Sequence, residues 1–278
     1  MKPERRVRIV DVGANPVNEP PYTPMLTAGC AEVYGFEPQK GAYEALMQEA
    51  TAHTTFVNAA VGAGGMGTFR YWERAEGMSS LYPLRKLSAR YLGRFRGLAG
   101  TEEEIEMPTR ALDEIDDVPP IDMLKMDVQG AERDILRAGR EKLKDAIVII
   151  PEMRFYQLYK GEPSLGALDQ ELRRQGFVLH KFLPMSRTLL PSRRAKRLAR
   201  VARTQLIDGD AVYIRPLENM AAWSEEALVH MVLCAVGAFR SYDLALMVLD
   251  ELEDRGRVGP DVAEALIASL PEHMRAPS

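Results

Sequence analysis

Val7-Arg8-Ile9-Val10-Asp11-Val12-Gly13-Ala14-Asn15 decides how the rest of the chain is read. A β-branched apolar run stops at an acid, a glycine and an asparagine, the pattern of a buried strand meeting a tight turn. Glycine there lets the backbone approach a ligand closely, and the acid can accept a hydrogen bond or pair with a cation. Read alone, Asp-x-Gly serves equally as a plain structural turn. The G-x-G-x-x-G fingerprint of dinucleotide-binding folds is absent, because Asn15 and Asn18 occupy its second and third glycine positions. Nicotinamide or flavin chemistry is therefore not expected.

Outward from this strand, short apolar runs alternate with helical patterns. The runs at 32–36, 56–61, 67–72, 121–126, 146–150, 177–182 and 211–214 predict strands, and 41–49, 131–137 and 165–174 predict helices. Such alternation predicts a mostly parallel sheet covered on both faces. Two basic stretches interrupt it. Residues 73–106 read as a long lid or binding loop, and residues 184–208 as an amphipathic helix. After Pro216 the composition turns to acidic, Ala/Leu-rich helices at 225–238, 242–253 and 260–270.

The 278 residues are 46% apolar, 27% charged and 7% aromatic, which excludes a disordered, collagen-like or disulfide-stapled chain. No apolar run approaches the roughly 20 residues that cross a bilayer. The opening Met1-Lys2-Pro3-Glu4-Arg5-Arg6 is basic rather than apolar, so no secretory signal is expected. With two cysteines, Cys30 and Cys234, a reducing cytoplasm is the expected compartment. The net charge of −4 is uneven: residues 216–278 carry four basic and eleven acidic side chains. Within the remainder, Arg85, Lys86, Arg90, Arg94 and Arg96 form one acid-free cluster. Arg193, Arg194, Lys196, Arg197, Arg200 and Arg203 form another. The overall balance argues against a general nucleic-acid binder, whereas the clusters suit a local anionic ligand.

Several acids and amides stand at strand ends. Glu37, in Tyr34-Gly35-Phe36-Glu37-Pro38, lies where nucleotide-binding α/β folds place a carboxylate that accepts both ribose hydroxyls; a helix-capping acid is the alternative. Lys125-Met126-Asp127-Val128-Gln129-Gly130-Ala131-Glu132 closes the strand at 121–126, with Lys125 and Asp127 on one face. Glu152 closes the next strand. Asp127 and Glu152 fit a general-base pair, a cation site or simple caps, since each needs carboxylates.

In order along the chain, Asp11-Val12-Gly13-Ala14-Asn15, Gly35-Phe36-Glu37-Pro38, Asn58-Ala59-Ala60-Val61-Gly62 and Leu124-Lys125-Met126-Asp127-Val128-Gln129-Gly130-Ala131-Glu132 resemble the FkbM family of S-adenosylmethionine-dependent methyltransferases. The resemblance spans roughly residues 7–183. It implies a doubly wound, mostly parallel, seven-stranded class I methyltransferase sheet over residues 1–215, with residues 216–278 as a helical appendage. It also implies S-adenosylmethionine as cofactor and O-methylation of a sugar, glycan or natural-product hydroxyl. By position, Asp11, Gly13, Ala14 and Asn15 would surround the amino-acid end of the cofactor, Glu37 and Pro38 its ribose, and Asn58 and Ala59 its adenine. Asp127 would lie at the methyl-transfer centre as the first candidate base, with Glu152 as the second; no resident metal is required. This chain departs from the family at Pro16-Val17, where a glycine is usual after the asparagine, and at Gln129, where glutamate is common.

A non-catalytic scaffold and a nucleic-acid methyltransferase are the competing readings. The ribose acid and strand-end acid weigh against the first; the lack of aromatics within 193–203 weighs against the second. If both basic clusters converge above the strand ends, they predict an anionic acceptor. The apolar stretch at 228–236 predicts that the C-terminal helices pack on the domain or on a second copy of the chain.

Overall fold

The computed structural model describes residues 3–16, 19–72, 76–93 and 102–276. Its larger sheet orders seven strands as β3 (Thr54–Val57), β2 (Ala31–Phe36), β1 (Val7–Val12), β7 (Met123–Met126), β8 (Val148–Arg154), β10 (Gln205–Ile214) and β9 (Val178–Thr188). β2 pairs parallel with β3, β1 with β7, and β7 with β8; β10 runs antiparallel to both β8 and β9. The sheet is thus doubly wound and mostly parallel, as the alternation of strands and helices predicts. Val10, Val12, Leu124, Met126 and Ile149 form one buried cluster with Ile135 and Leu136 of α4 (Glu132–Arg137) and Leu168 and Leu172 of α5 (Leu165–Arg174). Strands buried on both faces read as continuous apolar runs, which is why β1, β7 and β8 were legible. α5 begins where Ser164 Oγ accepts the Ala167 N–H at 3.3 Å.

The run at 56–61 is not one strand but two. β3 ends at Val57, and Asn58 Nδ2 then donates to the carbonyls of Glu37 (2.8 Å) and Pro38 (3.1 Å). This side-chain staple turns the chain out of the large sheet. β4 (Ala60–Gly62) joins β5 (Gly65–Trp72) and β6 (Glu102–Ala111) in a smaller sheet of order β4-β6-β5. β6 replaces the end of the expected loop at 73–106. Its acids hide the strand pattern, because Glu104 pairs with Arg70, and Glu103 and Glu106 accept from Tyr71 and Thr68 of β5. Within that interruption, α3 (Lys86–Tyr91) carries Lys86 and Arg90, whereas Arg94 and Arg96 lie outside the described residues.

Residues 184–208 do not form the expected amphipathic helix. β9 runs on to Thr188, β10 resumes at Gln205, and the link between them holds only short 3-10 turns at Ala195–Arg197 and Arg200–Ala202. Pro184 falls within a register shift between Phe182 and Met185, a place where a strand tolerates proline. The six cations at 193–203 have no acids among them to supply helix-stabilising i,i+4 pairs.

A second compact unit draws on Met1–Val7, Glu19–Glu32 and Pro216–Ser278. It contains α1 (Thr23–Thr27), α6 (Glu225–Gly237), α7 (Tyr242–Asp254) and α8 (Pro260–Ser269). α6 is apolar on nearly every side and correspondingly buried, from Leu228 to Ala235. Gly237 admits α1 closely: a Cβ there would lie 2.5 Å from Met25 Cγ. His230, fully buried, places Nε2 2.9 Å from Glu226 Oε1. Among the described residues, no helix is long and apolar enough to cross a membrane.

The tightest constraint of the fold is at Gly13. Its φ is +80°, and a Cβ would stand 2.1 Å from the carbonyl oxygen of Asp127. Gly13→Ala combines a strained φ with a backbone clash, and we expect it to destabilise the chain by about 2 kcal/mol or more. Urea denaturation measures this; a loss under about 0.5 kcal/mol would show that the β1 and β7 turns do not need this approach.

Candidate functional site

The ends of β1, β2 and β3 are laced together by backbone. The N–H groups of Gly13 and Ala14 both donate to the Phe36 carbonyl, at 2.9 and 3.1 Å, and the Glu37 N–H donates to that of Val57 at 3.1 Å. Glu37 is buried at this junction, and its Oε1 accepts the Gln39 N–H at 2.7 Å. Gly35 allows the lacing, since a Cβ would meet the Phe56 ring at 2.6 Å and Ala14 Cβ at 3.1 Å. Glu37 therefore braces the entry to α2 (Lys40–Gln48), and a carboxylate keeps further lone pairs for a hydroxylated ligand. Asn58 spends its amide protons on the loop staple; Asn15 is half-buried in the turn after β1.

Residues directly opposite in paired strands share a face. Asp11 is opposite Lys125, Lys125 is opposite Ile150, Glu152 is opposite Asp210, and Arg154 is opposite Asp208. One face at the carboxyl end of the sheet thus collects Asp11, Lys125, Glu152, Arg154, Asp208 and Asp210, with Asp127 just past β7. Lys125 Nζ lies 3.7 Å from Asp11 Oδ1. Burial opposes the lysine charge, but Asp11, Asp127, Asp210 and Glu152 hold its pKa above the ordinary lysine range.

The two expected catalytic acids are brought together by the residue between them. Gln129 Nε2 donates to Asp127 Oδ1 at 2.7 Å and to Glu152 Oε2 at 2.9 Å. Its Oε1 accepts from Arg154 at 2.8 Å and lies 3.0 Å from Tyr159 Oη. Only this amide orientation satisfies all four neighbours. A glutamate here would remove both donors and set a third carboxylate between two others. The side chain is aimed by a left-handed backbone, φ +57°, which Ser80 Oγ secures by donating to the Gln129 carbonyl at 2.7 Å.

Arg154 is the hub. It donates to Glu152 at 2.6 Å and to Asp208 at 2.7 Å, and its Nε lies 3.6 Å from Glu162 Oε2. Burial nevertheless pushes several acids up. Glu132, which accepts the N–H groups of Val128 and Gly130, rises to about 7, and Asp210 to about 6, with neighbouring acids adding to the burial effect. Glu152 and Glu162 are also raised, chiefly by burial. Glu132, Glu152, Arg154 and Glu162 line a recess with Pro163 and Ser164. Among the described residues, no group of three or more His, Cys, Asp or Glu side chains is disposed to hold a metal ion.

Asp11, Glu37, Asp127 and Glu152 are expected from the sequence at these strand ends; Arg154, Tyr159, Glu162, Asp208 and Asp210, which the structure adds around them, are not. The available signal was period two: Arg154 follows Glu152, and Asp208 precedes Asp210, on strands that otherwise read as apolar.

A doubly wound, mostly parallel sheet with charged side chains at its carboxyl edge is compatible with a class I methyltransferase fold. Residues 11–179 match the methyltransferase FkbM domain, and the chain belongs to that family. Among solved structures it is similar to magnesium protoporphyrin IX methyltransferase from Synechocystis PCC 6803 with bound S-adenosylmethionine (11% identity, 76% of this chain and 71% of that one, TM-score 0.41). It is likewise similar to a putative methyltransferase from Thermoplasma acidophilum (10% identity, 77% and 70% covered, TM-score 0.41). A third is precorrin-6y C5,15-methyltransferase from Geobacter metallireducens GS-15 (11% identity, 77% and 82% covered, TM-score 0.37). No curated protein matches the chain.

The raised acids fix the sign of a pH dependence. Between the ordinary carboxylate pKa and about 6–7, the folded chain holds protons on Asp210 and Glu132 that the unfolded chain has released. This contribution to stability is present at low pH and is lost as pH rises through that window. The melting temperature should therefore fall between about pH 5 and about pH 8, and Asp210→Asn should shrink the difference. A parent midpoint that rises over this range, or an Asp210→Asn difference equal to the parent's, would contradict the assignment.

Proposed function

We propose that this methyltransferase is an O-methyltransferase that acts on a hydroxyl of a sugar, glycan or natural product, with Asp127 as proton acceptor. The observation that carries this reading is the Asp127–Gln129–Glu152 bridge at the carboxyl edge. Gln129 orients the two acids, while Arg154 claims Glu152 and leaves Asp127, half-buried, with a neutral partner. S-adenosylmethionine, when bound, supplies an electrophilic methyl group on a sulfonium. The residues fit it: a buried carboxylate after β2 suits paired ribose hydroxyls, and the turn at Gly13, Ala14 and Asn15, bonded to the end of β2, would border the amino-acid end. Asp11, paired with Lys125, would stand with that turn at the amino-acid end, Pro38 would border the ribose, and Asn58 and Ala59 would border the adenine. An alcohol oxygen is a weak nucleophile until its proton is accepted, so Asp127 would take that proton as the oxygen is alkylated. Glu152 is the second candidate. Transfer from a sulfonium is an in-line displacement, so the site's main task would be to align donor and acceptor and exclude water. Cys30 and Cys234 are both thiols, which suits a reducing cytoplasm.

Glu37→Ala should weaken S-adenosylmethionine binding by about tenfold or more, through loss of charge-assisted hydrogen bonds. Isothermal titration reads this directly, and an unchanged dissociation constant in a folded variant would remove Glu37 from the ribose site. Asp127→Asn should hold cofactor affinity within a few-fold and lower turnover by about 10². Full turnover in that variant would place the proton acceptor elsewhere.

A further inference from the structure

We propose that the tip of the β9–β10 hairpin, together with α3, is a docking surface for an anionic lipid bilayer. The hairpin outlasts its neighbour: Asp208 is opposite Arg154, the last residue of β8, whereas Gln205 and Leu206 pair only with Thr188 and Arg187 of β9. The connecting residues 189–204 therefore project beyond the carboxyl edge of the sheet. α3 is held beside them. Thr188 Oγ1 donates to the Leu92 carbonyl at 3.1 Å, and Ala89 and Leu92 share a buried cluster with Ile207 of β10.

Two features of this surface belong together. The first is charge. Arg193, Arg194, Lys196, Arg197, Arg200 and Arg203 are all exposed, and none has an acidic partner among the described residues. The second is apolar exposure in the same turns. Val201 is 91% exposed, Leu198 56% and Leu190 50%, while on α3 Leu87 is 66% and Tyr91 61% exposed. Scattered exposed leucines need no explanation, but three large apolar side chains on one projecting, acid-free tip, with two more on the helix held beside it, do. Aliphatic side chains set among unpaired cations match the headgroup boundary of an anionic leaflet, where the cations meet lipid phosphates and the apolar groups enter the acyl region. A single-stranded nucleic acid fits less well, because residues 189–204 contain no aromatic side chain and α3 supplies one, Tyr91, where successive bases need a row of stacking platforms. A soluble anion would use the cations and leave Leu198 and Val201 without a role.

Co-sedimentation of the full chain with vesicles tests this. Binding to phosphatidylcholine vesicles with about a third phosphatidylglycerol should exceed binding to pure phosphatidylcholine by about tenfold or more, and should weaken with salt. Leu198→Gln with Val201→Gln, which leaves every cation in place, should lower the anionic-vesicle affinity by about tenfold. Arg193→Gln with Arg194→Gln and Arg197→Gln should lower it at least as far. All five side chains are exposed, so an unchanged melting temperature certifies the fold of each variant. Equal binding to both vesicle types, or none to either, would overturn the proposal. So would an apolar double variant that binds like the parent, which would leave a purely electrostatic site, or tighter binding to a single-stranded oligonucleotide than to anionic vesicles.

Discussion

One guanidinium organises the carboxyl edge of this protein. Arg154 is buried, and ionised groups leave water at high cost unless they are paired and hydrogen-bonded. It meets that condition by holding Glu152 on its own strand, Asp208 on β10, Glu162 in the following loop and the amide oxygen of Gln129. Each partner comes from a different segment, so the cation fixes where β8, β10 and two loops stand relative to one another. The tilt of Tyr159 follows as well, since its ring lies 5.7 Å from the Arg154 guanidinium and its hydroxyl shares the Gln129 acceptor.

Pairing at Arg154 does not neutralise the region. Asp11, Asp127, Glu132, Glu152, Glu162, Asp208 and Asp210 surround two buried cations, Arg154 and Lys125; burial lifts several of the carboxyl pKa values, and neighbouring acids add to it at Glu132, Glu152 and Asp210. Gln129 makes this crowding tolerable. An amide presents two donors to two carboxylates without adding charge, and it returns an acceptor to Arg154. Its left-handed backbone is a local cost that a fully satisfied side chain offsets. The departure from the family's usual glutamate is thus an electrostatic adjustment to the acids around it.

The same edge shows how loops are tied to a rigid sheet. Gly13 touches the Asp127 carbonyl region without a side chain between them, Asn58 staples two carbonyls after β2, and the Phe36 carbonyl takes two N–H groups from the turn after β1. Each of these contacts ends on backbone, so the geometry of the turns depends little on which ligand approaches them. By contrast, the hairpin tip and α3 project side chains outward and carry the chemistry of whatever surface they meet.

Periodicity alone determined much of this protein. The apolar run at 7–12 had to be a buried strand, the alternation after it required a mostly parallel sheet, and the helices α5, α6, α7 and α8 were visible to within a residue or two, α6 from its Ala/Leu-rich composition rather than from a polar face. Strand-end acids such as Glu37 and Asp127 were legible too, because a parallel sheet puts its carboxyl ends at one edge. What sequence could not supply were the meetings between distant segments. The split of 56–61 into β3 and β4 depends on Asn58 reaching Glu37 and Pro38, and β6 depends on Arg70, Thr68 and Tyr71 receiving its acids. The stretch at 184–208 carries helix-compatible cations, yet pairing between β9 and β10 outweighs that weak local preference. The Arg154 network joins residues 129, 152, 159, 162 and 208, and no local pattern encodes it, since a buried charge selects its partners through the fold that encloses it.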